Sequence, residues 1–115
     1  MTRVVSIRVP AVLVEEARMA ARNSRTSVST LVSRVLNIAL ADGLDLSRLP
    51  DAREPLDGKL DLRLSDELLN RLRPVCKGLR IPLSVYIRTM LYGGHTGRLT
   101  LKHAEGRYTL VANHD

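Results

Sequence analysis

Two short stretches of the chain alternate between polar and apolar residues, as a β-strand with one buried face does. In "RVVSIRVP", which starts at Arg3, the positions predicted to point inward are Val5, Ile7 and Val9, and those predicted to point outward are Val4, Ser6 and Arg8. In "KLDLRLS", the inward positions are Leu60, Leu62 and Leu64, and the outward ones are Lys59, Asp61 and Arg63. Because a lone strand of this length is not stable in water, each strand needs a partner.

A helical period follows each strand, and each block of the chain contains two such segments. The first helix begins after Pro10 with the apolar face Leu13, Ala17, Ala20 and Ala21; its counterpart begins at the N-cap Ser65 with Leu68, Leu69, Leu72, Val75, Cys76 and Leu79. The second helix has Leu31, Val32, Val35, Leu36 and Ala39 and stops at Gly43; its counterpart has Tyr86, Ile87, Met90 and Leu91. Pro74 removes a bond to the Asn70 carbonyl, which predicts a kink or an early end of that helix.

The two blocks align without a gap at an offset of 55 residues, so that Arg8 matches Arg63 and Ser29 matches Ser84. Two unrelated amphipathic segments would not hold register over about 30 residues, so residues 1–41 and 59–93 are predicted to be an internal repeat. Residues 42–58 carry two Pro and two Gly without a sustained period and are predicted to be a linker. In the tail, 94–115, two short alternating runs flank "HAEG", which predicts a β-hairpin.

Charge adds a candidate partner to this picture. The net charge is +6, with 15 Arg among the 18 basic residues, and the linker is acidic while both flanking blocks are basic. A basic surplus favours a polyanion, and nucleic acid is the first expectation. The basic residues do not line one face of a long amphipathic helix, and no signal peptide or membrane-spanning run is visible, so we expect no membrane partner and a cytoplasmic location.

Catalytic and metal-binding patterns are not found in the sequence. There is no Ser–His–Asp set, no phosphate-binding Gly loop and no catalytic carboxylate pair. His95, His103 and His114 share no metal-ligand spacing with one another or with Cys76, which lies on an apolar helical face. We therefore expect neither an enzyme, nor a metal site, nor a cofactor.

Each block resembles the ribbon-helix-helix (Arc/MetJ-like) family of DNA-binding proteins. The resemblance rests on "SIRVP" and "SVSTLVSRVL" in the first block and on "DLRLS" and "LSVYIRTML" in the second. It implies an α+β fold in which two strands form an antiparallel ribbon that enters the major groove, under four helices. The tandem arrangement is similar to the TraY-type accessory proteins of conjugative plasmids, in which one chain supplies both halves. The partner of the first strand would then be the second strand of the same chain.

The resemblance also implies which residues contact double-stranded DNA. The base-reading positions would be Val4, Ser6, Arg8, Lys59, Asp61 and Arg63, with the two arginines as the strongest candidates, because Arg can donate two hydrogen bonds to guanine. Phosphates would bind at the starts of the second helices, at Ser27, Val28, Ser29, Leu83 and Ser84. Pro82 replaces the capping serine in the second block, so a weaker clamp is expected there. Auxiliary contacts could come from Arg3, Arg98, Lys102 and Arg107.

The leading functional prediction is a sequence-specific transcriptional regulator that binds as a single-chain pseudo-dimer. The alternative is a relaxosome accessory protein that binds near an origin of transfer and recruits a relaxase, and a weaker one is an antitoxin. Self-association on DNA stays open. The role of the tail also stays open among packing on the helices, extending the DNA contact and joining two chains. Because the two strands differ, each chain is expected to read a non-palindromic site.

Overall fold

The computed structural model describes residues 1–113, apart from the side chain of residue 47, as an α+β chain with four helices and two small antiparallel sheets. The elements in chain order are β1 Thr2–Val9, α1 Ala11–Asn23, α2 Val28–Ala41, β2 Gly58–Ser65, α3 Asp66–Leu79, α4 Leu83–His95, β3 Leu99–Ala104 and β4 Arg107–Ala112. No helix within these residues is both long and apolar enough to cross a membrane.

The first sheet joins the two alternating stretches of the sequence. β1 pairs antiparallel with β2 in a register that runs from Thr2 opposite Ser65 to Val9 opposite Gly58. The inward side chains are buried except for the half-buried Val5, and the exposed outward ones are Val4, Ser6, Arg8, Lys59, Asp61 and Arg63. The predicted pairing of the two strands and the assignment of their faces are therefore confirmed.

The helices of the two blocks start at equal intervals. α3 begins 55 residues after α1 (66 − 11), and α4 begins 55 residues after α2 (83 − 28). The turns between helices also correspond: the Thr26 N–H donates to the Ala21 carbonyl, and the Ile81 N–H donates to the Cys76 carbonyl. The element lengths and the turn geometry of one block are thus closely reproduced in the other.

All four helices pack on the inward face of the β1–β2 sheet, and the predicted apolar faces form the core with one exception. On α1, Ala20 is exposed and Val14 is buried instead. Val14 lies against Gly58, where a Cβ would approach its Cγ2 to 2.8 Å. The open space above this glycine therefore accommodates a branched side chain, which the small Ala20 cannot replace.

Pro74 does not end α3, and the predicted early break is wrong. The helix continues to Leu79. Leu72 and Cys76, on either side of the proline, are buried in the core and hold both parts of the helix in place. Asn70 is exposed, so water can reach the carbonyl group that loses its partner.

The residues between α2 and β2 take part in the core and in capping, which the linker prediction did not include. Leu46, in a 3₁₀ turn (Leu46–Arg48), is only 1% exposed. The Asp57 Oδ1 accepts a hydrogen bond from the Ala11 N–H at 2.8 Å, so it caps α1, whose own N-cap residue Pro10 makes no side-chain bond. The segment is therefore a structural part of the fold.

The tail forms the predicted hairpin, β3–β4. Its turn consists of Glu105 and Gly106 with φ angles of 54° and 76°, the geometry of a tight type I′ turn. Leu99 and Leu110 are buried against the helices, and the Leu110 N–H donates to Asp42 at the end of α2. Of the three roles left open for the tail, packing on the helices is the one that the structure shows. His114 lies outside the described residues.

Candidate nucleic-acid interface

The outward face of the β1–β2 sheet brings together all six predicted base-reading residues. They form three cross-strand rows, Val4 with Arg63, Ser6 with Asp61 and Arg8 with Lys59, and we call this face the ribbon surface. All six residues are exposed, including Val4 at 61%. Two strands about 5 Å apart fit the major groove of B-DNA, which is about 12 Å wide.

The ribbon surface contains a pair of like charges in direct opposition. Arg8 lies opposite Lys59, an arrangement that destabilises a sheet unless something compensates. Lys59 has Asp61 as a partner at 3.6 Å, but neither Arg8 nor Arg63 forms an ion pair with another residue among 1–113. The face therefore carries three cations and one anion, and its two free guanidinium groups are open to a polyanion.

The central row of the ribbon surface is internally hydrogen-bonded. The Ser6 hydroxyl donates to the Asp61 Oδ1 at 2.5 Å. This bond, with a smaller contribution from Lys59, holds the pKa of the Asp61 carboxyl below its usual range, so the group is ionised at neutral pH. Ser6 and Asp61 thus present one joined acceptor group rather than two independent readers.

Helices α2 and α4 hold the backbone of both ribbon arginines. The Arg63 N–H donates to the Ser29 hydroxyl at 2.8 Å, and the Arg88 Nη1 donates to the Arg8 carbonyl at 3.1 Å. These contacts use the outer edges of the two strands, which would otherwise be open to a further strand. The two side chains are therefore projected from a fixed backbone. Neither positioning role was evident from the sequence.

The starts of α2 and α4 lie next to these edges and present unpaired backbone N–H groups. Ser27 caps α2 as predicted: its hydroxyl accepts from the Thr30 N–H and donates to the Thr30 hydroxyl. The amides of Val28 and Ser29 are then left for a ligand. α4 begins at Pro82 without a side-chain cap, which leaves the amides of its first three residues, Leu83, Ser84 and Val85.

Two arginines that the sequence reading missed precede these helix starts. Arg25 and Arg80 are exposed, and their φ angles of 53° and 59° lie in the left-handed region, where glycine is usual at the end of a helix. They are 55 residues apart (80 − 25) in the stretches "SRTS" and "LRIP". That offset was the available signal, since it places a basic residue at the same point of both blocks.

The predicted auxiliary residues lie away from the ribbon surface. Arg3 is in the phase of the inward residues and pairs with Asp66 at 2.9 Å. Arg98, Lys102 and Arg107 belong to the tail, which packs at the ends of α2 and α4 opposite to those that meet the ribbon. Arg107 pairs there with Asp42.

Cys76 is buried in the core, and burial raises the pKa of its thiol, so it is not a reactive nucleophile. Within residues 1–113, no three His, Cys, Asp or Glu side chains are grouped so as to hold a metal ion.

No protein-family model, curated protein or solved structure matches this chain.

Proposed function

We propose that this chain is a sequence-specific double-stranded DNA-binding protein, acting as a transcriptional regulator, that inserts the ribbon surface into the major groove. The observation that supports this most is the exposed pair of unpartnered arginines, Arg8 and Arg63, on a face that also places Lys59 opposite Arg8. A polyanion relieves that repulsion, and each arginine can recognise a guanine through two hydrogen bonds.

The register of the ribbon supports a ribbon-helix-helix arrangement repeated twice in one chain. Ser6 pairs with Asp61, and these residues are 55 apart (61 − 6), the interval that also separates the corresponding helices. When two residues related by a repeat face each other in an antiparallel pair, a local two-fold axis passes between them. The chain thus has the symmetry expected of a dimer whose two halves are covalently linked.

The two ends of the ribbon differ, which favours a DNA site with a direction. One end presents Arg8 beside Lys59, and the other presents Arg63 beside Val4. The first end suits a guanine flanked by a second acceptor or a phosphate, whereas the second suits a guanine next to a thymine, whose methyl group Val4 can contact. The Ser6–Asp61 pair between them accepts, which suits a cytosine amino group.

Phosphate contacts on both sides would fix the ribbon in the groove. The unpaired amides at the starts of α2 and α4 provide donors and the positive end of a helix dipole. Arg25 and Arg80 stand three residues before those starts and add one mobile cation on each side. The second clamp retains its amides despite Pro82, so the two sides are more similar than the sequence indicated.

Selection of bound sites from random duplexes, followed by mapping of those sites onto the source genome, tests the proposal. We expect one enriched, non-palindromic site per chain, and an affinity that falls with salt with a slope of about −0.9 per phosphate contact. Sites upstream of genes support regulation of transcription, whereas sites at an origin of transfer support the relaxosome alternative.

Arginine variants identify the reading surface. We expect Arg8→Ala and Arg63→Ala each to weaken binding by about 1–3 kcal/mol and to relax specificity at one position, at opposite ends of the site. Arg73→Ala, which removes an exposed arginine from α3, is the matched control and should change affinity little. Wild-type affinity and specificity in both ribbon variants would show that the ribbon is not the reader.

A further inference from the structure

A second feature with binding chemistry is a cleft of about 410 Å³ between the segment that precedes β2 and the C-terminal end of α4. Its walls include Asp51 and Arg53 on one side, Tyr92 and Thr96 on the other, and Arg98 at the start of the tail. The volume is in the range of pockets that hold small molecules. Nothing in the ribbon surface uses these side chains.

The cleft presents two guanidinium groups without a carboxylate partner. Neither Arg53 nor Arg98 forms an ion pair with another residue among 1–113. Both lie close enough to the Tyr92 hydroxyl to act against a rise in its pKa, which comes mainly from the bond that this hydroxyl donates to Glu54 at 3.0 Å. The two cations therefore converge on one region of the wall.

The carboxylate in the wall is already neutralised. Arg88 binds Asp51 through both oxygens, with Nε to Oδ1 at 2.8 Å and Nη2 to Oδ2 at 2.7 Å. The Arg88 side chain is only 10% exposed, so this pair is shielded from solvent on the arginine side. The free charge that a ligand would meet in the cleft is therefore that of Arg53 and Arg98.

We propose that this cleft binds a small organic anion carrying a carboxylate or a phosphate, and that its occupancy regulates DNA binding. Arginine forks pair with either oxyanion through parallel hydrogen bonds. The Tyr92 ring and Pro50 offer an apolar wall for the body of the ligand. The regulatory part rests on the function proposed above; the binding part does not.

Arg88 connects the cleft to the ribbon surface. The same guanidinium that holds Asp51 also donates to the Arg8 carbonyl at 3.1 Å. One turn further along α4, Tyr92 holds Glu54, so α4 fastens the chain on both sides of Arg53. A ligand that draws Arg53 and Arg98 together acts directly on this fastened segment, and through Arg88 on the backbone that projects Arg8.

An NMR titration of the full chain with sodium phosphate and with sodium citrate, at ionic strength matched by sodium chloride, tests the binding site. We expect saturable shifts at the amides of Tyr92, Thr96 and Arg98 for one of the probes, which also distinguishes phosphate from carboxylate chemistry. The double variant Arg53→Gln/Arg98→Gln should bind about tenfold more weakly.

Arg25→Gln/Arg80→Gln is the matched control, because it removes the same charge at the ribbon clamps and should leave this binding unchanged. Titrations that do not saturate, or that lose affinity only in the control, would overturn the site.

The regulatory part is tested by DNA affinity with and without a saturating amount of the bound probe. We expect a change of about fivefold or more in the wild type and none in Arg53→Gln/Arg98→Gln or in Asp51→Asn, which interrupts the connection without removing packing volume. An equal affinity in the wild type with and without the probe would overturn regulation. If the chain bound no DNA at all, the proposed function would fail, while the titration would still decide the binding site.

Discussion

At the scale of single residues, the left-handed arginines show a conflict between stability and function. A non-glycine residue in this region of backbone space costs about 1 kcal/mol or more relative to glycine. Arg25 and Arg80 both accept that cost, in turns of matching geometry and at corresponding positions. A side chain that folding disfavours at two equivalent sites is best explained by a contact outside the chain, and the adjacent helix starts indicate a phosphate.

Replacing either of these arginines by glycine should therefore separate the two effects. We expect Arg25→Gly and Arg80→Gly each to raise the free energy of unfolding by about 0.5–1 kcal/mol, because glycine adopts the left-handed conformation without strain. Each should also weaken DNA binding by several-fold at all sequences and reduce the salt slope by about one contact. Urea unfolding and binding measured on the same samples provide the two readouts. A variant that lost stability, or that bound DNA as tightly as the wild type, would contradict this role.

At the scale of elements, the start of β2 shows how one small residue fixes the approach of a strand and a helix. A Cβ at Gly58 would lie 2.8 Å from the Val14 Cγ2 and 3.0 Å from the Val9 carbonyl oxygen. Gly58 is also the last residue of β2 to pair with β1, at Val9. The neighbouring Asp57 caps α1, so three elements meet within two residues.

Gly58→Ala should consequently destabilise the fold. We expect a loss of about 1–3 kcal/mol, because the nearest atoms include backbone that cannot move aside. Gly78→Ala is the matched control: it lies in α3 with open space around it, so alanine should be neutral or slightly stabilising there. Denaturant midpoints for the two variants give the comparison, and equal midpoints would show that the contact at Gly58 relaxes freely.

At the scale of the whole molecule, the pair formed by Arg88 and Asp51 joins parts of the chain that are distant in sequence. It connects the segment before β2 with α4 and, through the Arg8 carbonyl, with β1. The hydrogen bond from Arg88 holds the pKa of the Asp51 carboxyl below its usual range, despite the opposing effect of burial. The folded state therefore binds fewer protons at this group than the unfolded state does.

This difference gives the pair a defined pH dependence. Its contribution to stability is fully present above the pKa of an unfolded aspartate, near pH 4, and is lost as the pH falls through the lower folded pKa. We expect Arg88→Met to lower the free energy of unfolding by about 2 kcal/mol at pH 7 and by much less near pH 3. Asp51→Asn should follow the same trend, and the double variant should add little to either. A loss that was the same at both pH values would assign it to packing alone.

The sequence by itself determined the elements, their faces and the six residues of the ribbon surface. Alternation of period two assigns every residue of β1 and β2 to a face, and the offset of 55 relates the blocks, because both patterns are local properties of the chain. The hairpin was predictable for the same reason.

Tertiary structure alone decided what depends on distant residues meeting. Whether α3 would survive Pro74, which residue of α1 would be buried beside Gly58, and that Asp57 would cap α1 all follow from contacts between elements. The same is true of the positioning contacts from Ser29 and Arg88, and of the cleft between Arg53 and Arg98. Hydrogen bonds across tens of residues leave no periodic trace in the sequence, because their geometry exists only once the core has packed.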